Sequence, residues 1–118
     1  MIGLGMAALK VYLAVEPCDM RKGFNGLTII AVEHLGQSLA HNALFVFTNK
    51  RRTRIKLLCF DGTGLWLATK RLEQGTFSWP PPSETGQRKI TLQPEALRLL
   101  LDGVDLRGAK MRPWYQRE

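Results

Sequence analysis

The sequence predicts a single α+β domain in which an N-terminal strand and helix precede an antiparallel β-meander and a second helix follows it. The length of 118 residues fits one domain. Apolar residues make up 45% and charged residues 23% of the chain, which is typical of a globular domain. Short apolar runs separated by turn residues fill its middle, and stretches with helical spacing flank them. We expect a flexible leader at 1–8, the domain at 9–106 and a basic tail at 107–118.

The first predicted elements are a strand and an amphipathic helix. Residues 11–15 are apolar and partly β-branched, and Glu16-Pro17 ends the run. Asp19 is then a candidate N-cap for a helix that Gly36 ends. Apolar residues recur at intervals of three and four along this stretch, as expected for one buried helix face. They are Met20, Phe24, Leu27, Ile30, Ala31 and Leu35.

Four strands are predicted in the middle of the chain. Residues 43–47 form a buried-strand pattern, and residues 54–60 partly alternate between apolar and polar side chains. The polar segment 48–53 between them is short enough for the turn of a hairpin. An Asp-Gly turn precedes the third strand at 65–72, and a fourth, short strand is expected at 76–79.

A connector, an edge strand and a helix are predicted next. Pro80-Pro81-Pro82 cannot pair within a sheet and predicts an extended connector. Residues 89–92 are a candidate edge strand. A helix over 93–102 is predicted because Pro94 lies in its first turn and Gly103 follows its end.

The charge of the chain indicates an anionic partner, and nucleic acid is the first candidate. Seventeen Lys and Arg against ten Asp and Glu give a net charge of +7. Five cations lie within residues 46–60, and no acidic residue occurs between Glu33 and Asp61. A hairpin that carries them can lie along a phosphate backbone. The alternative is that the charges only keep an exposed edge hairpin soluble. The five are Lys50, Arg51, Arg52, Arg54 and Lys56.

Strand alternation predicts that Arg52, Arg54 and Lys56 share one face of the second hairpin strand. Four other cations are candidate secondary contacts, namely Arg21, Lys22, Lys70 and Arg71. For the first two of these, pairing with Asp19 or Glu16 is an equally good interpretation. The cations around Trp114 and Tyr115 are compatible with a strand-binding arm or with an ordinary docked tail. The pattern does not separate DNA from RNA.

The sequence gives no positive indication of catalysis. Cys18 and Cys59 are expected to be free thiols, because no Cys or His spacing is that of a zinc site. No carboxylates are spaced to converge on a metal, and no phosphate-binding glycine loop is present. We expect no catalytic residue, metal, cofactor or small-molecule ligand. A small nuclease that uses Asp61 or Glu73 remains a minor hypothesis. No run of about 20 apolar residues occurs, so we expect no membrane association and a cytoplasmic protein.

The segment from Pro17 to Leu27 resembles a family signature, P-x-D-M-R-K-G-F-D-G-L. This signature is typical of the TnpB accessory-protein family, whose members are encoded by the second reading frame of insertion-sequence-66 transposons. The resemblance extends over about residues 9–107 and includes the stretches LFVF, NKRR, IKLL, DGTG, KRLEQGTFSWP and LLDGVD. This chain departs from the family pattern at Asn25, Pro94 and Leu106. None of these departures removes the basic hairpin.

The resemblance implies a bacterial protein needed for efficient transposition, with DNA and the transposase of the same element as partners. The family has no catalytic residue that could be assigned to this chain. The separate transposase would cut and join the DNA strands. Two functional hypotheses follow. In the first, the basic hairpin binds transposon-end or target DNA. In the second, the protein is an adaptor that docks on the transposase without contacting DNA, through exposed apolar residues such as Trp66 or Trp79.

Overall fold

A mixed β-sheet organises the chain. The structure is a computed structural model that describes residues 9–40, 42–81, 86–103 and 115–117. Its strands are β1 (Lys10–Ala14), β2 (Ala43–Thr48), β3 (Arg54–Phe60), β4 (Leu65–Arg71), β5 (Lys89–Leu92) and β6 (Tyr115–Arg117). Its helices are α1 (Phe24–Ile29), continued by a π-helical turn (Ile30–His34), and α2 (Pro94–Leu101). Within the described residues these strands form one sheet in the order β4-β3-β2-β1-β5-β6.

The two central strands run parallel. Tyr12 of β1 lies opposite Phe45 of β2, and their rings stack with centroids 5.6 Å apart. Parallel neighbours need a crossover connection, which the segment containing α1 provides. The chain then follows the predicted meander, because β2, β3 and β4 pair antiparallel in order. β5 pairs antiparallel with the free side of β1. The α+β class is confirmed, and the parallel pair adds a feature that the predicted meander lacked.

One helix covers each face of the sheet, because alternate strand residues point to opposite faces. The first helical segment buries Leu27, Ala31 and Leu35 in the same core cluster as Phe45, as its spacing predicted. The other face is covered by α2, which begins at Pro94 as predicted and is followed by a left-handed Gly103 with a φ of 79°. The buried residues of α2 are Ala96, Leu97 and Leu100.

The first helix begins later than the sequence predicted. α1 starts at Phe24 after Gly23, and no side chain caps its first turn. Asp19 is therefore not the N-cap. It forms a separate turn in which its carbonyl accepts a 3.1 Å hydrogen bond from the backbone N–H of Lys22. Phe24, predicted to face the core, is 47% exposed because it lies at the outer start of this shortened helix.

The fourth strand of the predicted meander does not form. Residues 76–79 follow an irregular path across the α2 face, where Phe77 and Trp79 are buried. The indole N–H of Trp79 donates a 3.0 Å hydrogen bond to the carbonyl of Ala14, so both its apolar ring and its polar edge are satisfied without strand pairing. Trp79 is therefore a core residue, and its prediction as an exposed docking residue is wrong. Trp66 is 44% exposed.

Some predicted segments lie outside the described residues. These are the leader at 1–8, the stretch 82–85 after the first two connector prolines, and residues 104–114, which include Trp114. Of the predicted basic tail, the structure describes the backbone of β6, which pairs antiparallel with β5.

Candidate nucleic-acid interface

The turn between β2 and β3 is held by the side chain of Asn49. Its Oδ1 accepts hydrogen bonds from the backbone N–H groups of Thr53 (2.9 Å) and Arg54 (3.1 Å). Its Nδ2 donates to Oγ1 of Thr53 at 3.0 Å. An amide that bridges both sides of a turn restricts the backbone of the residues between them. Lys50 and Arg51 are therefore displayed at a fixed tip and are both exposed.

Arg52 leaves the strand pattern that the sequence predicted for it. Its backbone is left-handed, with a φ of 58°, and its carbonyl accepts a 2.7 Å hydrogen bond from the N–H of Phe77. Alternation begins only at Arg54, the first residue of β3, so Arg52 does not belong to the same strand face. Arg54 and Lys56 do share a face, with buried Ile55 on the opposite one.

The segment from Pro17 to Lys22 lies against this hairpin. The backbone N–H of Cys18 donates to the carbonyl of Thr48 at 2.9 Å. The ammonium of Lys56 donates to the carbonyl of Lys22 at 2.9 Å, across 34 positions of sequence. Because β1 and β2 are parallel, the segment that leaves β1 emerges beside the hairpin that follows β2. Two basic segments that are distant in sequence thus meet at one end of the sheet.

A shallow cleft of about 420 Å³ separates these two segments. Cys18, Asp19 and Met20 form one wall. The other wall is the hairpin, which contributes Asn49, Lys50, Arg51, Thr53 and Arg54. We call five exposed or half-buried cations that lie around this cleft the basic surface. Its members are Lys22, Lys50, Arg51, Arg54 and Lys56.

Most cations of the basic surface have no acidic partner. Among the described residues, the side chains of Lys22, Lys50, Arg51 and Arg54 form neither ion pairs nor hydrogen bonds. The half-buried Arg52 side chain is likewise unpaired within the described part of the chain. The hydrogen-bond partner of Lys56 is a backbone carbonyl and not a carboxylate. An anion that approached this end of the sheet would therefore meet uncompensated positive charge.

Two of the predicted secondary contacts are ion-paired. The guanidinium of Arg21 binds Asp19, with Nη2 to Oδ2 at 2.7 Å, and these hydrogen bonds lower the pKa of the carboxyl to about 2. Arg71 pairs with Glu73 at 3.1 Å. Both pairs are exposed, so they weaken the positive potential locally and contribute little to stability. The alternative interpretation of Arg21, pairing with Asp19, is the one observed.

Lys70 lies on the other face of the sheet from the basic surface. Its ammonium donates a 2.6 Å hydrogen bond to the carbonyl of Leu101, at the C-terminal end of α2. A cation at a helix C-terminus binds orphan carbonyls and complements the helix dipole. The structure therefore does not bring Lys70 together with the hairpin cations.

Arg54 and Arg71 are directly opposite each other in the register of β3 and β4. Like charges at facing positions destabilise a sheet, by up to about 1 kcal/mol per pair. Residues 54 and 71 face the α1 side, as Lys56 does. Arg54, Lys56 and Arg71 therefore lie close together on the α1 face of the sheet.

Sequence reasoning missed two residues of this site. Asn49 shapes the hairpin tip, and its position immediately before a basic run within a predicted turn was the available signal. Cys18 lies between the two basic segments and is half-buried. Burial raises the pKa of its thiol, and the charges of Lys56 and Lys22 oppose part of that rise.

Asp61 has a structural role in the turn before β4. Its Oδ1 accepts hydrogen bonds from the backbone N–H groups of Thr63 and Gly64, and its Oδ2 accepts one of 2.7 Å from the indole of Trp66. These bonds lower the pKa of the carboxyl far below its usual range. Within the described part of the chain, no group of three or more His, Cys, Asp or Glu is placed to hold a metal ion. Nor does any described helix have the length and apolar character needed to cross a membrane.

Comparison with known proteins gives the family. A protein of Sinorhizobium fredii (strain NBRC 101917 / NGR234), "Uncharacterized protein y4jC", is 34% identical over 105 residues, which cover 89% of this chain and 87% of that protein. "Uncharacterized protein y4hO" of the same strain is 37% identical over 99 residues, or 84% of each chain. No solved structure matches. The family model described as "IS66 Orf2 like protein" matches residues 9–111, which confirms the resemblance found in the sequence. This chain belongs to the family of IS66 Orf2-like proteins.

Proposed function

We propose that this protein is a non-catalytic accessory protein of insertion-sequence transposition that binds DNA through the basic surface. The observation that carries the proposal is the meeting of unpaired cations from two distant segments at one end of the sheet. Family membership supports the transposition role, because the family is defined by the second reading frame of IS66 elements. The separate transposase of the element would cut and join the strands.

Charge distribution supports a localised phosphate contact. Residues 46–60 contribute +5 of the net charge of +7, whereas residues 1–45 are neutral overall. If the basic surface neutralises four or five phosphates, the logarithm of the affinity falls with the logarithm of salt concentration at a slope of about −4. Nonspecific binding by a protein whose positive charge is spread evenly would not depend on a few hairpin residues.

The test is a salt-dependent titration of the protein against transposon-end duplex DNA, a scrambled duplex and an RNA duplex of the same sequence. Lys50→Ala combined with Arg51→Ala should weaken binding of DNA and reduce the salt slope by about two. Lys10→Ala combined with Arg98→Ala is the matched control, since it removes the same charge from exposed positions away from the basic surface. Absence of binding at low salt, or equal losses for the two double variants, would contradict the proposal.

An adaptor that docks on the transposase is the second candidate. The observation in its favour is the exposure of four large apolar side chains among the described residues, namely Phe24 (47%), Ile29 (51%), Val32 (45%) and Trp66 (44%). Exposed aromatic residues are frequent anchors of protein interfaces. Capture of the transposase that survives Lys50→Ala with Arg51→Ala but fails with Phe24→Ser or Trp66→Ser would favour this candidate. The two functions are compatible, because these side chains lie outside the hairpin tip.

A further inference from the structure

A second, deeper cleft adjoins the basic surface. It has a volume of about 490 Å³ and lies on the α1 face, at the C-terminal ends of β1 and β2. Cys18, Asp19 and the segment around them separate it from the cleft of the hairpin, so the two clefts share a wall. Crevices outside the carboxyl ends of parallel strands are a common location for ligand sites.

The floor of this cleft is apolar and its rim is charged. The exposed Ile29 and the half-buried Ile30 contribute apolar surface, and the buried residues Ala14 and Phe47 also border the cleft. Lys22 and Arg88 are exposed cations at its rim. Glu16 and His34, also exposed, add groups that can exchange hydrogen bonds with a ligand. An inorganic anion would need only the cations, whereas this lining suits a ligand with a flat apolar face, a polar edge and an attached negative charge.

Gly26 positions one of these cations. A Cβ at residue 26 would lie 3.1 Å from Cβ and 3.2 Å from Cγ of Lys22. The aliphatic stem of Lys22 therefore lies against α1 at Gly26, and Lys22 lines the deeper cleft on the side of the segment that borders both clefts. A phosphate bound there would join a ligand in the deeper cleft to a strand that continues along the hairpin.

We propose that the deeper cleft receives one unstacked nucleotide of a DNA strand whose phosphates continue onto the basic surface. The base would cover the apolar floor, Lys22 and Arg88 would contact its phosphates, and Glu16 would accept from an exocyclic amino group. The volume lies within the range of small-molecule sites. This inference rests on the proposed function and makes it more specific: the protein prefers single-stranded or frayed DNA to intact duplex.

The preference follows from the cost of extracting a base. In a closed duplex a nucleotide must be unpaired and unstacked before it can enter, which costs free energy, whereas a single strand offers unpaired bases. We expect the wild-type protein to bind a single strand about tenfold or more tightly than the same strand annealed to its complement.

The experiment measures fluorescence anisotropy with a single strand of about 12 nucleotides, a length in the range that one small domain covers. The comparison duplex is the same strand annealed to its complement. Ile29→Trp is the blocking variant, because Ile29 lines the cleft and is 51% exposed. Val32→Trp is the matched control, since Val32 is 45% exposed on the π-helical turn that follows and does not line the cleft. Ile29→Trp should abolish the single-strand preference and leave duplex affinity unchanged, whereas Val32→Trp should retain both.

Gly26→Ala is a second test variant. Unlike Ile29→Trp, it does not place an aromatic ring in the cleft. Alanine stabilises a helix relative to glycine, so the variant should remain folded while its new methyl group displaces the stem of Lys22. We expect a several-fold loss of single-strand affinity without loss of thermal stability.

The outcomes separate the two proposals. Equal affinity of the wild type for single strand and duplex overturns the inference but leaves duplex binding by the basic surface intact. A preserved preference in Ile29→Trp overturns the assignment to this cleft. Failure to bind either DNA at low salt overturns the proposed function, and the inference with it.

Discussion

The ammonium of Lys56 in β3 donates a 2.9 Å hydrogen bond to the backbone carbonyl of Lys22, and this contact joins the two halves of the basic surface. Lys56→Met keeps the aliphatic stem and removes the donor and the charge. We expect the free energy of unfolding to fall by about 1 kcal/mol, since a charge-assisted hydrogen bond at a half-exposed site is lost. DNA affinity should fall more than for Lys70→Met, whose ammonium lies on the other face. Chemical denaturation and DNA titration of both variants measure this, and equal DNA losses would contradict it.

Arg54→Gln should stabilise the fold and weaken DNA binding. Arg54 faces Arg71 across β3 and β4 and has no acidic partner among the described residues, so its removal relieves a repulsion. The gain should be a few tenths of a kcal/mol at low salt and should fade as salt screens the pair. Thermal melts at two salt concentrations, together with DNA titrations, test both effects. A loss of stability at low salt would show that Arg54 is a structural residue.

Asn49→Ala should reduce DNA affinity although it removes no charge. The variant loses three hydrogen bonds that hold the turn, two to backbone N–H groups and one to Thr53. We expect the free energy of unfolding to fall by about 1–3 kcal/mol, as when polar groups of a turn lose their partners. Thr53→Val removes only the side-chain bond and should have the smaller effect on both quantities. DNA binding that is unchanged in Asn49→Ala would show that the order of the tip is unimportant.

Acid should destabilise the protein mainly through Asp61, and only slightly through the exposed ion pair of Asp19 with Arg21. Hydrogen bonds hold the pKa of Asp19 at about 2 and lower that of Asp61 further. Because the folded-state pKa values lie below the unfolded value of about 4, the stabilisation is fully present above pH 4. It is lost progressively as the pH falls toward the folded-state values. Denaturation curves between pH 7 and about 2 should show this decline, and Asp61→Asn should flatten it.

Bound DNA should protect Cys18 from alkylation. Cys18 lines both clefts and is half-buried, whereas Cys59 is buried and provides an internal reference. Burial raises the pKa of the Cys18 thiol, so its reaction with iodoacetamide should be slow at neutral pH and faster as the pH rises. Mass spectrometry after short exposure should show slower labelling of Cys18 in the presence of DNA. Unchanged labelling would place the DNA elsewhere.

The sequence was most informative where the periodicity was local. β2, β3 and β4 were recognisable because apolar runs alternate with turn residues, and α2 because Pro94 and Gly103 mark its ends. The parallel pairing of β1 with β2 depends on a crossover, which no local pattern encodes. The burial of Trp79 was missed because its indole N–H bonds to Ala14, 65 residues away.

The candidate site was predictable in part for the same reason. The charges of Lys50 and Arg51 are visible in the sequence, and turns are usually exposed. The departure of Arg52 from the strand face depends on a left-handed backbone. The engagement of Lys70 with Leu101 depends on where α2 ends, which is a tertiary property.

Three of the five cations of the basic surface, Lys22, Lys50 and Arg51, lie in connections, whereas the core is formed by the strands and helices. The side chains of Lys22, Lys50 and Arg51, which we propose bind DNA, are therefore separate from the core side chains. Substitutions of Lys50 or Arg51 would then change the proposed DNA contact without repacking Phe45 or Leu27. Mobile elements whose DNA ends diverge in sequence could thus keep one scaffold and change only its hairpin tip. A graft of residues 49–54 between relatives should therefore transfer binding preference with little change in stability.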